Sequence, residues 1–218
     1  IEAGLVIKNE QGRLYDRFRD RIMFPIRDPR GRIIGFGGRL LNSGEPKYLN
    51  SPETPVFHKG QALYGLYEAR HTGQKNTPSG TNHTPAPVLV VEGYLDVASL
   101  TQHGIGPAVA TLGTATTPAH IRQLTRLTGS VIFCFDGDRA GKAAAWKAME
   151  TVLPQAGDKV ELKFLLLPDG EDPDSLLRSR GTAFFLELID QALPLSDFLL
   201  GELASRIDLS SADGRSRL

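Results

Sequence analysis

The stretch VIFCFDGD at positions 131–138 is the most informative part of the sequence for the fold, because it joins a wholly apolar strand directly to a cluster of acids. The same transition occurs twice more, in VLVVEG at 88–93 and in LKFLLLPDGEDPD at 162–174. A fourth apolar run lies at 107–110. Continuous apolar strands are typical of a parallel sheet that is covered on both faces.

Helical patterns separate these four strands, as a parallel α/β sheet requires. Helices are predicted over 94–103, from Pro118 to about Leu127, and over 140–153, and a further helix is predicted to open at Asp172 or Pro173. From Thr182 onwards the pattern is again helical. The sequence therefore predicts an α/β fold with a parallel sheet flanked by helices.

The acids that follow three of the strands point to one site. The carboxyl ends of parallel strands meet at one edge of a sheet, which is where open α/β folds bind ligands. Crowded carboxylates raise one another's pKa values unless a cation lies among them. Oxygen ligands suit Mg²⁺ or Mn²⁺ rather than zinc, and two such ions can support phosphoryl transfer.

A structural alternative exists for several of these acids. Asp172 before Pro173 has the pattern of a helix N-cap, and Asp174 suits the first turn electrostatically. Asp96 is typical of a first-turn acid, although it lies one helical turn after Glu92 and could reach the same cavity. Capping and metal binding both fit the Asp172/Asp174 pair.

The chain is neutral overall, but its first part is basic. Residues 1–84 contain 13 Lys and Arg against 8 Asp and Glu, and the remainder has the opposite excess. A hairpin is predicted from strands at 21–26 and 32–39 with a turn at 28–31. Arg17, Arg19 and Arg21 alternate, so in a strand they would share one face. Arginine suits phosphate recognition, whereas Arg–Asp pairing on a solvated face is the plainer alternative.

Two further segments combine cations with aromatic rings, PKYLNSP at 46–52 and FHKG at 57–60. Such a surface offers charge and a stacking platform for a nucleic-acid base. Residues 42–60 otherwise look irregular. Residues 71–87 contain no large apolar residue, so we expect a linker or mobile surface loop there.

Composition narrows the class of protein. The 218 residues have a globular composition and one cysteine, Cys134, which excludes an internal disulfide and a multi-cysteine zinc site and fits a reducing compartment. No apolar run approaches the length of a membrane span, and no leader pattern is present. Because the sequence starts at Ile1 and ends in a polar stretch, we expect an excised fragment of a longer protein.

Two groups of motifs carry a family resemblance. EGYLD at 92–96, DGDRAG at 136–141 and DGEDPD at 169–174 resemble the Toprim module of bacterial primases, type IA and type II topoisomerases and some nucleases. YDRFRDRIMFPI at 15–26, GFGGR at 35–39, PKYLNSPET at 46–54 and FHKG at 57–60 resemble the bacterial replicative DNA primase family (DnaG-type) specifically.

The resemblance implies a domain organisation. We expect a partial basic N-terminal subdomain of mixed α+β structure at 1–70, a linker at 71–87 and a Toprim metal-binding domain at 88–181. The truncated start of a helical subdomain would follow at 182–218.

The resemblance also implies a template-directed RNA polymerase that makes short primers on single-stranded DNA. Glu92, Asp136 and Asp138 would be catalytic and hold the metal, Asp172 and Asp174 would add a further cation position, and Asp96 would support them. The residues implied to bind nucleotide or template are Arg17, Arg19, Arg39, Lys47, Tyr48, Asn50 and Lys59.

The implied cofactor is Mg²⁺ or Mn²⁺, with no zinc in this fragment. The implied partners are single-stranded DNA, nucleoside triphosphates, the RNA primer, and the replicative helicase through a region outside this sequence. We expect a cytoplasmic monomer with no membrane contact. The alternatives are a Toprim nuclease or topoisomerase fragment that cleaves DNA strands, and a binding module in which the acids only cap helices.

Overall fold

The computed structural model describes residues 1–75, 86–157 and 159–206. Within them the strands are β1 (Val6–Lys8), β2 (Leu14–Asp16), β3 (Arg21–Arg27), β4 (Ile33–Leu40), β5 (Tyr48–Asn50), β6 (Val88–Val91), β7 (Ala108–Ala110), β8 (Ser130–Phe135), β9 (Glu161–Leu166) and β10 (Leu193–Pro194). The helices are α1 (Leu66–Lys75), α2 (Tyr94–Gln102), α3 (Pro118–Leu124), α4 (Arg139–Val152), α5 (Pro173–Asp190) and α6 (Leu195–Arg206), with a short 3₁₀ turn at Leu153–Gln155.

The central sheet has the order β10-β9-β8-β6-β7. Its four predicted strands run parallel, with β6 between β8 and β7 and with β9 beyond β8. The parallel α/β prediction is therefore confirmed. The sequence did not predict β10, which is only two residues long and pairs antiparallel with β9.

The two faces of this sheet carry separate hydrophobic cores, because alternate strand residues point to opposite sides. Helices α1, α3, α4 and α6 cover one face, where Phe133 and Phe164 are buried. Helices α2 and α5 cover the other face over Ile132 and Cys134. Residues 182–206 pack on both faces of this sheet, because Phe198 stacks on Phe164 in one core and Phe185 is buried in the other.

The basic part folds around a three-stranded antiparallel sheet in the order β3-β4-β5. The predicted hairpin is confirmed, with Phe24 opposite Gly37. Its turn ends at Gly31, which has a φ of 85° that favours glycine. A separate two-stranded ribbon, β1 with β2, precedes it.

Some local predictions were wrong. Arg17 and Arg19 do not extend the strand that begins at Arg21, since they lie in an irregular segment. The left-handed φ of 54° at Asp20 separates that segment from β3, so the three arginines do not share a strand face. Strand β5 interrupts the segment predicted to be irregular.

The predicted linker differs from the structure at its start. Helix α1 continues to Lys75, so residues 71–75 are helical although their composition is polar. Residues 76–85, the greater part of the predicted linker, lie outside the described residues, as do 207–218. No described helix has the length and hydropathy needed to cross a bilayer.

Candidate active site

The acidic residues predicted to form a site lie at the carboxyl edge of the central sheet. Glu92 follows β6, Asp136 and Asp138 follow β8, and Asp172 and Asp174 follow β9. The carboxylate of Asp136 interacts electrostatically with Glu92, Asp96, Asp172 and Asp138. The structure therefore brings together acids from three loops, as the strand pattern predicts.

Burial and mutual repulsion change the acidity of this cluster. Burial is the larger cause and neighbouring carboxylates the smaller one, and together they raise the pKa of Asp136 to about 7. Burial and the nearby Asp172 likewise raise the pKa of Asp96 to about 7. Burial also raises the pKa of Glu92. At neutral pH the cluster therefore favours binding a proton or a cation.

Several of these acids also hold the backbone in place. Asp138 is the N-cap of α4 and accepts a hydrogen bond from the Gly141 amide at 2.7 Å. Asp172 is the N-cap of α5 and accepts one from the Ser175 amide at 2.7 Å. The capping alternative is therefore correct for Asp172. It does not exclude ligand binding, because each cap bond uses one carboxylate oxygen and leaves the other.

The remaining acids have their own contacts. Asp96 accepts a hydrogen bond from the Gly93 amide at 2.9 Å, which orients it toward the loop that carries Glu92. Asp174 lies 3.0 Å from Arg178, one turn further along α5. Asp174 adds to the negative potential at Asp96, so it belongs to the edge of the cluster.

A close backbone approach brings two of the acidic loops together. The Gly137 amide donates a hydrogen bond to the Glu171 carbonyl at 3.0 Å. A Cβ at position 137 would lie only 1.8 Å from the Pro168 carbonyl oxygen. Glycine at 137 is therefore required for the loop after β8 to contact the loop after β9.

The donor chemistry of this cluster fits a hard divalent cation, because every candidate ligand is a carboxylate oxygen. The raised pKa values of Asp96 and Asp136 agree, since a bound cation would relieve the same repulsion that a proton relieves. Across 1–75, 86–157 and 159–206, however, no three His, Cys, Asp or Glu side chains form a ready metal-binding group. A ligand shell would require side-chain rearrangement among these acids.

The cations and aromatic residues predicted to bind nucleic acid lie on the antiparallel sheet and its margins. Arg39 and Tyr48 are partners across β4 and β5. The Lys47 ammonium lies 5.7 Å from the centre of the Tyr48 ring. The Arg19 guanidinium lies 5.1 Å from the Tyr15 ring centre, on the β1–β2 ribbon.

Arg17, Asn50 and Lys59 have contacts that fix their positions. The Arg17 guanidinium donates to the Asn50 carbonyl oxygen at 3.2 and 3.3 Å. The Asn50 side chain donates to the Leu112 carbonyl at 2.8 Å, so its amide is engaged within the protein. The Lys59 backbone amide donates to Glu53 at 3.0 Å.

Sequence patterns alone did not identify Tyr94, which joins the basic sheet to the acidic edge. Its hydroxyl donates to the Asn50 side-chain oxygen, and its ring stacks on Phe24 with 5.2 Å between ring centres. A Cβ at Gly37 would lie 2.4 Å from this ring. The glycines at 35 and 37 inside a predicted strand were the available signal for this contact, since such glycines often mark a site where another group approaches the strand backbone closely.

Comparisons with known families divide the chain in two. Residues 1–70 match the family described as "DNA primase catalytic core, N-terminal domain", and residues 89–177 match "Toprim-like". Among curated relatives, the DNA primase of Escherichia coli strain K12 is 57% identical over 218 residues, which are 100% of this chain and 36% of that protein. The DNA primase of Pseudomonas aeruginosa is 55% identical over 220 residues, with 32% of its length covered.

Solved structures show the same likeness. A DNA primase domain from Pseudomonas aeruginosa superposes with a TM-score of 0.90 at 54% identity, covering 99% of this chain and 65% of that one. A DnaG primase catalytic domain bound to single-stranded DNA gives a TM-score of 0.88 at 56% identity, covering 99% and 67%. The chain spans about a third of the length of these curated relatives.

Proposed function

The chain belongs to the bacterial DnaG-type DNA primase family, and on that premise we propose that it forms part of a DNA-directed RNA polymerase that synthesises short primers. The template would be single-stranded DNA and the substrates nucleoside triphosphates. The reaction would be metal-dependent nucleotidyl transfer during DNA replication. The relative that was solved bound to single-stranded DNA supports the choice of template.

One observation carries the proposal. The acidic edge of the central sheet lies directly beside the basic antiparallel sheet. Tyr94, two residues after Glu92, donates a hydrogen bond to Asn50 of the basic sheet. A polyanion held by the basic sheet would thus meet a site that favours cations. Template-directed phosphoryl transfer needs that combination of phosphate binding and cation binding.

Glu92, Asp136 and Asp138 are proposed to hold Mg²⁺ or Mn²⁺, with Asp172 and Asp174 at a further cation position and Asp96 supporting them. When bound, such ions supply charge neutralisation for the triphosphate and lower the pKa of an attacking 3′-hydroxyl. The protein's own part is to keep these carboxylates together at the end of a rigid sheet. The caps made by Asp138 and Asp172 restrict how far either side chain can move.

The basic side chains would position template and nucleotide without entering the chemistry. Arg17 is oriented by two bonds to the Asn50 carbonyl, and its remaining guanidinium nitrogen is available to a phosphate. Tyr48, 40% exposed, offers a ring face for a base, with Lys47 beside it. Arg19, Arg39 and Lys59 would complete the groove.

Further properties of the complete protein follow from the family and are part of the proposal. The replicative helicase would bind through a region outside this sequence, and the protein would act as a cytoplasmic monomer. This sequence contains no cysteine cluster for zinc. The rival proposal is another Toprim enzyme that cleaves DNA strands.

The test is ribonucleotide incorporation on single-stranded DNA by the complete protein, with and without Mg²⁺. Replacing Asp136 by Ala is expected to lower the rate by at least about a thousandfold while template affinity is kept. Asp169→Asn is the matched control, because Asp169 is an exposed acid on the same edge that pairs with Lys142. A normal rate in the Asp136 variant would contradict the role of the cluster, and metal-dependent nicking without ribonucleotides would favour the rival.

A further inference from the structure

A second basic surface lies where the β3–β4 turn, α1 and α3 meet. The residues that line a cavity of about 160 Å³ there are Pro29, Leu66, Arg70, Gln123, Arg126 and Leu127. We call this cavity and its rim the arginine cleft. Arg70 belongs to α1 and Arg126 to the turn that follows α3, and both are exposed, so their guanidinium groups are accessible from solvent.

The charge around the arginine cleft is strongly unbalanced. Two carboxylates on these elements are already paired: Asp28 lies 2.7 Å from Arg32, and Glu68 lies 3.3 Å from Arg27. Within residues 1–75, 86–157 and 159–206, Arg70 and Arg126 have no ion pair, nor do Arg30 and Arg122, which are adjacent in sequence to the lining residues Pro29 and Gln123. An uncompensated arginine cluster of this kind suits a polyanion.

The arginine cleft is continuous with the turn that carries Lys59. A neighbouring cavity of about 250 Å³ is lined by Arg27, His58, Gln61 and Gln123, and it shares Gln123 with the cleft. The Gln123 side chain donates to the Gln61 carbonyl. The Thr117 hydroxyl donates to the Gly60 carbonyl at 2.7 Å, so α3 fixes this turn in place.

We propose that the arginine cleft binds the phosphate backbone of the single-stranded DNA template beyond the active site, as an extension of the groove that includes Lys59. The inference rests on the proposed primase function. Exposed arginines from α1 and from the turn after α3, without an ion pair in the described part of the chain, can follow the successive phosphates of a strand. Continuity with Lys59 favours the template over an acidic protein segment, which would have no reason to lie along the nucleotide-binding turn.

The test compares Arg70→Gln, Arg126→Gln and the double variant in the complete protein. Affinity for single-stranded DNA is measured by fluorescence anisotropy across a salt titration, with one oligonucleotide of about 30 nucleotides and one of about 6. Arg180→Gln is the matched control. Arg180 is an exposed arginine on α5, which packs on the opposite face of the central sheet.

Log affinity falls as log salt rises. The proposal predicts that each substitution makes this slope shallower by about 0.7 for the long oligonucleotide. Binding of the short oligonucleotide and the rate at saturating template should stay at the level of the unmodified protein and of Arg180→Gln. An unchanged slope in the double variant would overturn the proposal, as would an equal loss for both oligonucleotides. Capture of an acidic peptide with DNA binding unaffected would also overturn it.

The wild-type protein separates this proposal from the function it rests on. If the wild type incorporates ribonucleotides but the cleft variants bind DNA normally, only the extended template path is wrong. If the wild type makes no RNA on single-stranded DNA, the proposed function itself fails. The two single variants give the slope even if the double variant is unstable.

Discussion

The acidic edge and the basic sheet hold their charges in different ways. The acids of the edge follow buried strands, and burial raises the pKa values of Asp96 and Asp136 to about 7. Among the cations of the basic sheet, Arg17 and Arg21 bond to backbone carbonyls. Arginine stays charged at all relevant pH values, whereas the acids respond to what binds them. The difference indicates that the acidic edge is the part whose state depends on its ligand.

A substitution at Gly137 tests whether the contact between the loops after β8 and β9 holds the acidic edge together. Gly137→Ala is expected to destabilise the fold by about 3 kcal/mol, because the new Cβ would overlap the Pro168 carbonyl, a backbone atom that cannot rotate away. Denaturant unfolding measures the loss. Gly129→Ala should change stability by less than about 0.5 kcal/mol, since a Cβ there meets nothing within 4 Å. Equal effects at the two positions would show that the loop contact does not hold the edge together.

The joint between the two regions can be tested at Tyr94. Tyr94→Phe keeps the stacked ring but leaves the Asn50 side-chain oxygen without its donor, so a loss of about 1–2 kcal/mol is expected in thermal or denaturant unfolding. Tyr94 is 4% exposed and Tyr48 is 40% exposed. The comparison variant Tyr48→Phe should therefore unfold like the wild type. If Tyr94→Phe were as stable as the wild type, the packing of the ring alone would join the acidic edge to the basic sheet.

Much of the acidic edge could be predicted from sequence because its signals are local. An apolar strand followed at once by acids fixes both the topology and the place of Asp136 and Asp138. Helix α5 opens at Asp172 as predicted, since an N-cap acid before Pro173 is a strong start signal.

The basic region was harder because its contacts join residues distant in sequence. The bonds from Tyr94 to Asn50 and from Asn50 to Leu112 link separate parts of the chain, and no local pattern encodes them. The alternation of Arg17, Arg19 and Arg21 resembled a strand, but the left-handed Asp20 interrupts it. Short strands such as β5 carry too little periodicity to be seen.

The dependence of the acidic edge on its ligand gives a pH prediction. The pKa of Asp136 is about 7 in the folded state and ordinarily 3.8, so the folded protein binds more protons and loses stability as pH rises from about 4 to 7. Asp136→Asn removes this penalty. Without divalent metal, the free energy of unfolding of the variant should exceed that of the wild type by about 1 kcal/mol at pH 8. The difference at pH 4 should be small.

Thermal unfolding at the two pH values with a chelator present measures this difference, and added Mg²⁺ should stabilise the wild type more than the variant. Asp169→Asn is the control, because Asp169 is exposed and outside the cluster. If the Asn variant were less stable than the wild type at pH 8, the carboxylates would not be in repulsive contact.

The smallest effect is expected at the exposed rim of the same edge. The Lys142 ammonium lies 2.9 Å from Asp169, with the two side chains 53% and 88% exposed. A double-mutant cycle of Lys142→Ala and Asp169→Ala should give a coupling energy below about 0.5 kcal/mol, because solvent screens this pair and holding both side chains costs entropy. Charged residues of the same edge would then contribute differently to stability because they differ in burial. A coupling as large as the effect at Asp136 would show instead that solvent screens the rim no better than the cluster, and the contrast between the cluster and the exposed rim would lose its basis.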